Sequence, residues 1–435
     1  MRVLVVGSGA REDALSWRLR SSPSCSAVFA APGNAGTASR GENWPLAPTD
    51  GKAIAQKCQE EDIDLVILGP ETAIAAGVGD RLRKARIATL GPNRSAGRLE
   101  SSKVFSKRFM ERHGVPTARA VIVRAAEAAR KALESWVGPC VIKADGLASG
   151  KGVVVAPSVH VARAVLADWY TNNNVPGGGS DVLLEEKLEG REVSVFALSD
   201  GSAMLPIAAA CDYKRAGDGD SGPNTGGMGA YSPPLGFPDD FYDQVRQRII
   251  DPVRRGLRAD NEQYIGVLYC GLMWTADGPQ VIEFNARFGD PETQVLMPRV
   301  RGDFALLLKS AADGAIERSA ASFADESCVG VVLAKSDYPK RNTPLRGLPS
   351  ELSLPNGAQV FWGNSHLHNG AIDSGGGRVL TITALGADTG QARRNAYEAV
   401  RAVAGQIGAT SGLTYRSDIA NLTRSDKEPS EGRDG

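Results

Sequence analysis

Apolar positions in the first hundred residues fall in short runs separated by polar stretches of helical length. Arg2–Val6, Val28–Ala30, Ile63–Leu68 and Ile87–Leu90 each read as a buried strand. Ala14–Leu19 has helical character between the first two. Strands alternating with helices predict a parallel sheet covered on both faces. The turns Gly7-Ser8-Gly9, Pro32–Gly36 and Gly69-Pro70-Glu71 then lie beyond the carboxyl ends of the strands, where such sheets bind ligands.

The pattern changes after a predicted helix at Ser102–His113. Val121–Val123, Cys140–Lys143, Val153–Val155 and Val182–Glu185 read as short strands around a glycine-rich loop. Val193–Ala197, Met204–Ala209, Val267–Trp274 and Val281–Phe284 extend the sheet, with a helix at Asp240–Arg258. Asp218–Gly229 is so rich in glycine that no regular structure is expected there. Cys328–Ala334 and Gly375–Ile382 predict a third, smaller β-rich domain with a helix near Gly390–Gln406. Thr423–Gly435 is charged and rich in Ser and Gly, and reads as a disordered tail.

A chain of 435 residues has room for about three domains. Fifty basic and fifty acidic residues cancel, so no nucleic-acid or membrane partner is expected. No apolar run approaches the ~18 residues of a membrane span, and Val3–Val6 is too short for a signal-peptide core. The six cysteines are scattered and read as thiols of a reducing cytoplasm. His366 and His368 have no other strong ligand nearby and read as strand or loop residues. Nothing favours a Ser/His or Cys/His nucleophile.

The chemistry concentrates in Val281–Gln294, VIEFNARFGDPETQ. Glu283 and Asn285 lie two apart, so a strand puts both on one face. Together they offer the oxygen ligands of Mg²⁺, which keeps waters and takes substrate phosphates. Arg287 follows on the same face if the strand continues, as a clamp for an anion. Asp290 and Glu292 are further carboxylates without an assigned role. Upstream, Lys143 ends a strand and leads into a glycine-rich hairpin that contains Lys151. This is not a Walker loop, because Gly152 stands where Ser or Thr is required. Leu183–Leu188 ends a strand in Glu185 and Glu186, and Glu192 follows, a candidate adenine and ribose edge. Asp212-Tyr213-Lys214-Arg215 precedes the glycine-rich loop and offers cations to a small anion. Gly7–Glu12 resembles a dinucleotide turn, but Glu12 replaces its third glycine. A phosphate or ribose-phosphate site therefore fits better than nicotinamide. Each segment alone is consistent with a solvated turn; together they describe ATP and Mg²⁺ held between two sheets.

That combination is the ATP-grasp arrangement, and the chain resembles the phosphoribosylamine–glycine ligase (glycinamide ribonucleotide synthetase) family over about residues 1–420. The resemblance rests on GSGARE, APGNAGTA (Ala31–Ala38), GPE, KADGLASGKGVVVA (Lys143–Ala156), GDGDSGPNTGGMGAYSP (Gly217–Pro233), EFNARFGDPETQ (Glu283–Gln294) and YRSDI (Tyr415–Ile419). It implies an α/β (α+β multidomain) ATP-grasp fold. A doubly wound parallel-sheet domain would span 1–101 and the ATP-grasp domain 102–325, with a lid at about 115–187. A small β-rich C-terminal domain would span 326–422, with the tail at 423–435.

The resemblance also implies a reaction. ATP, glycine and 5-phosphoribosylamine would give glycinamide ribonucleotide, ADP and phosphate through a glycyl phosphate, in a cytoplasmic monomer using Mg²⁺ or Mn²⁺. Glu283 and Asn285 would bind the metal. Lys103, Lys143 and Lys151 would hold ATP phosphates, and Glu185, Glu186, Leu188 and Glu192 the nucleoside. Asp212, Lys214 and Arg287 would contact glycine and the acyl phosphate. Gly9, Asn34 and Glu71 would face phosphoribosylamine. The chain departs from the family pattern at Asp13, Tyr213 and Ala286. Ala286 is expected to affect packing alone, and Asp13 to add negative charge near the phosphoribosyl site.

Overall fold

The computed structural model describes residues 1–147, 152–355, 357–408 and 412–422. Its N-terminal sheet has five parallel strands in the order Glu42–Asn43, Ala27–Pro32, Arg2–Gly7, Leu65–Leu68, Thr89–Leu90. The chain order reverses beside Arg2–Gly7. This is the switch point at which a doubly wound sheet opens a crevice. The four-residue run Leu65–Leu68 is buried throughout, as a strand covered on both faces must be.

Ser102 starts the next helix, Lys103–His113, by accepting from the Phe105 amide, and Gly114 ends it in a left-handed turn. Beyond it lies a four-stranded antiparallel sheet in the order Ala120–Val123, Val182–Glu186, Cys140–Ala144, Val153–Ala156. Val123, Leu133, Ile142, Leu166, Trp169 and Leu184 give this small unit a core of its own.

The central sheet is antiparallel and long. Its order is Gly278–Asn285, Ile265–Thr275, Arg191–Asp200, Met204–Asp212, Gly229–Ser232, Ser327–Lys335, Arg378–Gly386, Gln359–Trp362. The C-terminal β-rich part is therefore joined to the central body through one continuous hydrogen-bonded ladder. The helix Thr389–Ile407 is capped by Asp388 and packs Ala392, Ala396, Ala399, Val400 and Val403 inward, at helical spacing.

Two expectations change. Asp218–Gly229 is not without regular structure: Arg215–Gly217 and Ser221–Asn224 form a hairpin, and Gly229–Ser232 enters the central sheet. Gly219 and Asp220 both adopt positive φ, the conformation that tight hairpin turns need. The predicted helix Asp240–Arg258 is interrupted by a π-turn at Arg246–Ile250, between Phe241–Val245 and Asp251–Ala259. Pro252 explains it, since its ring crowds the carbonyl one turn back and lacks an amide to close the helix. Thr423–Gly435, read as a disordered tail, lies outside the described residues.

Asp13 also sits elsewhere than expected. Its fully buried carboxylate accepts the Trp362 amide (2.8 Å), lies near Arg40 (3.4 Å) and occupies the space left by the absent side chain of Gly36. It joins the N-terminal domain to the C-terminal sheet and does not line the central cavity. Burial pushes this carboxyl up to about 6, against the opposing charge of Arg40. From an ordinary value of 3.8, the native state holds an extra proton in that window, so stability declines as pH rises through it. Asp13→Asn removes this titration. Relative to wild type, the variant should gain on the order of 3 kcal/mol between about pH 4 and pH 7. Denaturation midpoints of the two proteins measured across this range check it; parallel profiles would refute the assignment.

Candidate active site

A cavity of about 780 Å³ opens where the N-terminal crevice, the small antiparallel unit and the central sheet meet. Glu283 and Asn285 both line it, at the end of strand Gly278–Asn285, as their spacing requires. Burial alone would raise the Glu283 carboxyl. Lys214, Lys143 and Lys103 together hold it below its ordinary value. Glu283 therefore stays an anion, and with the Asn285 carboxamide it provides hard oxygen donors. Among the described residues no three His, Cys, Asp or Glu side chains cluster as a closed metal cage. The pair instead suits a cation that fills its shell with water and phosphate.

Three lysines line the adjoining wall. Lys143 donates to the Ile282 carbonyl (2.9 Å) and pairs with Glu185 (2.7 Å). The other oxygen of Glu185 pairs with Lys107 (3.0 Å), which also donates to Thr117 and Ala118. Glu185 thus lines the cavity while buried between two lysines. Lys103 lines the cavity and donates to the Gly146 carbonyl (2.8 Å). Lys151 lies outside the described residues. Glu186 and Leu188 continue the wall, but the Glu186 side chain accepts the Arg119 amide (3.0 Å), leaving its neighbouring backbone as the inward edge. Glu192 reaches Lys214 (2.7 Å).

Asp212 and Lys214 come together with Glu283 across the central sheet. Burial raises the Asp212 carboxyl to about 7, opposed by Lys214 at 4.0 Å. Lys214 keeps its proton firmly, because Asp212 and Glu192 outweigh its burial. Arg287 lies past the end of the strand but still lines the same cavity, its guanidinium donating to Asn285 Oδ1 (3.4 Å). Its guanidinium pairs with Glu100 (2.9 Å) and approaches Glu71 (3.5 Å). Glu100 also accepts the Ala286 amide (2.7 Å), which sets the direction of the chain as it leaves the strand Gly278–Asn285.

The N-terminal residues behave unequally. Gly9 lines the cavity, but its amide donates to Glu12 (2.6 Å). The Glu12 carboxylate occupies the turn, against Gly7, Gly9 and Gly69. Glu71 lines the cavity beside Arg287 and Arg11. Asn34 does not face it. Its buried amide donates to the carbonyls of Ser8 (3.0 Å), Gly9 (2.9 Å) and Trp362 (2.8 Å), and its oxygen caps the helix Ala35–Arg40.

Sequence reasoning missed Lys107, Glu100, Arg11, Tyr338 and Arg378. Arg378 pairs with Asp290 (3.1 Å) and donates to the Gly226 carbonyl (2.8 Å), while the Tyr338 hydroxyl accepts the Gly226 amide (2.9 Å). The C-terminal sheet thereby anchors two glycine-rich loops of the cavity. Only the position of Arg378, directly after three glycines, hinted at a special role. Tyr213 packs under the Arg416 guanidinium and accepts the Ala420 amide (3.0 Å), as a clamp on the chain end. His366 and His368 lie on an exposed strand, Ser365–His368.

Three family models match in chain order: phosphoribosylglycinamide synthetase N domain over residues 1–100, ATP-grasp (A) domain over 101–293, and C domain over 328–422. The chain is 42% identical to a phosphoribosylamine–glycine ligase of Mesorhizobium japonicum, over 92% of this chain and 94% of the relative. It is 44% identical to one from Leifsonia xyli, over 97% and 99%. The crystal structure of a phosphoribosylamine–glycine ligase from Thermotoga maritima matches with a TM-score of 0.82 at 31% identity, covering 96% of this chain and 100% of that one. The biotin carboxylase domain of the Hydrogenobacter thermophilus 2-oxoglutarate carboxylase, solved with MgADP and bicarbonate, matches with a TM-score of 0.72 at 15% identity, over 95% and 91%. That last likeness is one of fold.

The paired lysines make a structural prediction. Glu185→Ala leaves Lys107 and Lys143 buried without their shared counter-charge. It should destabilise the protein by about 3–5 kcal/mol, as a drop in chemical denaturation midpoint. Lys107→Met should destabilise it less, because Glu185 keeps Lys143.

Proposed function

The chain belongs to the phosphoribosylglycinamide synthetase family, and we propose that its cavity works through a glycyl phosphate. It is an ATP-dependent carboxylate–amine ligase that joins glycine to 5-phosphoribosylamine in purine biosynthesis. The observation that carries the proposed route is the convergence of Glu283, Asn285, Lys103, Lys143, Asp212, Lys214 and Arg287 on one cavity. The cluster includes no Ser, Cys or His nucleophile. The glycine carboxylate itself supplies the oxygen that takes the γ-phosphoryl group. The amine of phosphoribosylamine then attacks the activated carbonyl carbon, and phosphate leaves.

The protein's part is to orient and to neutralise charge. Lys103 and Lys143 hold the phosphates, with Lys143 aimed by Glu185. The backbone at Glu186–Leu188 meets the adenine edge, and Glu192 the ribose. Asp212 and Lys214 meet glycine, and Arg287, kept charged by Glu100 and Glu71, meets the phosphoryl group being transferred. Gly9 and Glu71 border the acceptor. Asn34 serves it only by shaping the turn at Ser8 and Gly9. Glu283 and Asn285 would hold Mg²⁺ or Mn²⁺, which supplies charge neutralisation at the phosphates.

This reading includes domains at 1–101, 102–325 with the lid at about 115–187, and 326–422, in a cytoplasmic monomer. No helix among the described residues is long and apolar enough to cross a membrane.

Purified enzyme supplied with ATP, glycine and freshly generated phosphoribosylamine should release ADP only when all three are present. Release with a different carboxylate–amine pair, and none with this one, would overturn the assignment. Glu283→Ala should lower this turnover by about a thousandfold or more while the thermal midpoint stays near wild type, since the loss is of transition-state charge stabilisation.

A further inference from the structure

Glu292 opens the helix Glu292–Leu296 and lines the cavity, yet is only 2% exposed. No hydrogen bond or close ion pair joins its carboxylate to a described residue, unlike its neighbours, although the charges of Arg287 and Arg378 act on it from further away. Glu12 is held by Gly9 and Arg11, Glu100 by Arg287 and Ala286, Glu185 by two lysines, and Asp290 by Arg378 and Gln294. Gly289 makes the placement possible, because a side chain there would collide with the folded-back Glu292 carboxylate.

A buried carboxylate with no cation in direct contact gains when one joins it. Asp212 faces the same space. After burial and Lys214, the charge of Glu292 is the next largest influence on it. Two carboxylates directed at one region, with the nearest lysine already shared between Asp212 and Glu192, leave a seat for one positive group.

We propose that Glu292 and Asp212 together seat the ammonium group of the glycine substrate. The inference rests on the ligase reading and adds a determinant of amino-acid recognition to it. ATP and the phosphoribosyl group are anions, and the metal belongs to Glu283 and Asn285. The acceptor amine must be neutral to attack, so a carboxylate pair suits it poorly. Glycine's ammonium is the remaining organic cation. Held in this way, it also stays protonated and cannot compete as a nucleophile for its own activated carboxyl group.

The test compares glycine with glycolate, which carries a hydroxyl in place of the ammonium. In Glu292→Gln the KM for glycine should rise about 30-fold or more, the loss expected when one partner of a buried charge pair is removed. The inhibition constant of glycolate against glycine, and the KM for ATP, should stay within about twofold. Glu292→Asp should recover much of the glycine affinity. Equal weakening of glycine and glycolate, or an unchanged glycine KM, overturns the proposal. So does a fall in kcat alone, which would move Glu292 to proton transfer. If Glu292→Gln does not fold, the unaltered enzyme still decides: no preference for glycine over glycolate overturns the idea. Absence of glycine-dependent ADP release from the unaltered enzyme would instead defeat the ligase reading itself.

Discussion

Arg287 is enclosed by Glu100 and Glu71, and this small charge cluster ties together three stretches far apart in the chain. Glu71 belongs to the N-terminal crevice, Glu100 to the short helix Arg98–Ser101, and Arg287 to the exit of the strand Gly278–Asn285. A guanidinium taken out of water must keep its carboxylates, because removing one leaves an uncompensated charge. The pairing therefore fixes where the N-terminal sheet sits against the central one. Since Glu100 also binds the Ala286 amide, the same cluster sets the path of the chain just after Asn285. The fold and the geometry of Glu283 and Asn285 share one set of contacts.

The same rule recurs around the cavity. Lys107 and Lys143 share Glu185, Arg378 holds Asp290, and Arg416 holds Asp418 and, in the turn of the glycine-rich hairpin, Asp220. The C-terminal region is thus part of the site's construction, both through the continuous sheet and through Tyr338, Arg378 and Arg416. Trp362 shows the connection most directly. Its amide goes to Asp13 and its carbonyl to Asn34, so two N-terminal side chains satisfy one C-terminal peptide. Against this background Glu292 is distinctive: it is buried among paired charges but unpaired itself, which is what a seat for a cationic substrate requires.

Much of the architecture was legible in the sequence. Strands and helices follow from periods of two and 3.6 residues, and Glu283 and Asn285 share a face because they are two apart in a strand. Lys143 at a strand end and the open turns at Gly7–Gly9 and Gly69–Glu71 follow from the same local rules. The hairpin at Arg215–Asn224 was legible too in principle, because Asp218-Gly219 is a tight-turn signal that the surrounding glycines obscured.

Partners were not legible. Nothing local says that Asn34 turns inward to cap a helix, that Glu185 bridges two lysines, that Asp13 reaches Trp362 across 349 positions, or that Arg378 crosses to Asp290. These assignments depend on which charges and peptide groups meet once water is excluded. Periodicity and turn chemistry act over a few residues, so the sequence by itself determined the elements, the shared face of Glu283 and Asn285 and the class of chemistry. The pairing of buried charge acts between elements brought together from far along the chain. Only the tertiary structure decided which side chains are engaged as framework and which, like Glu292, remain open to a ligand.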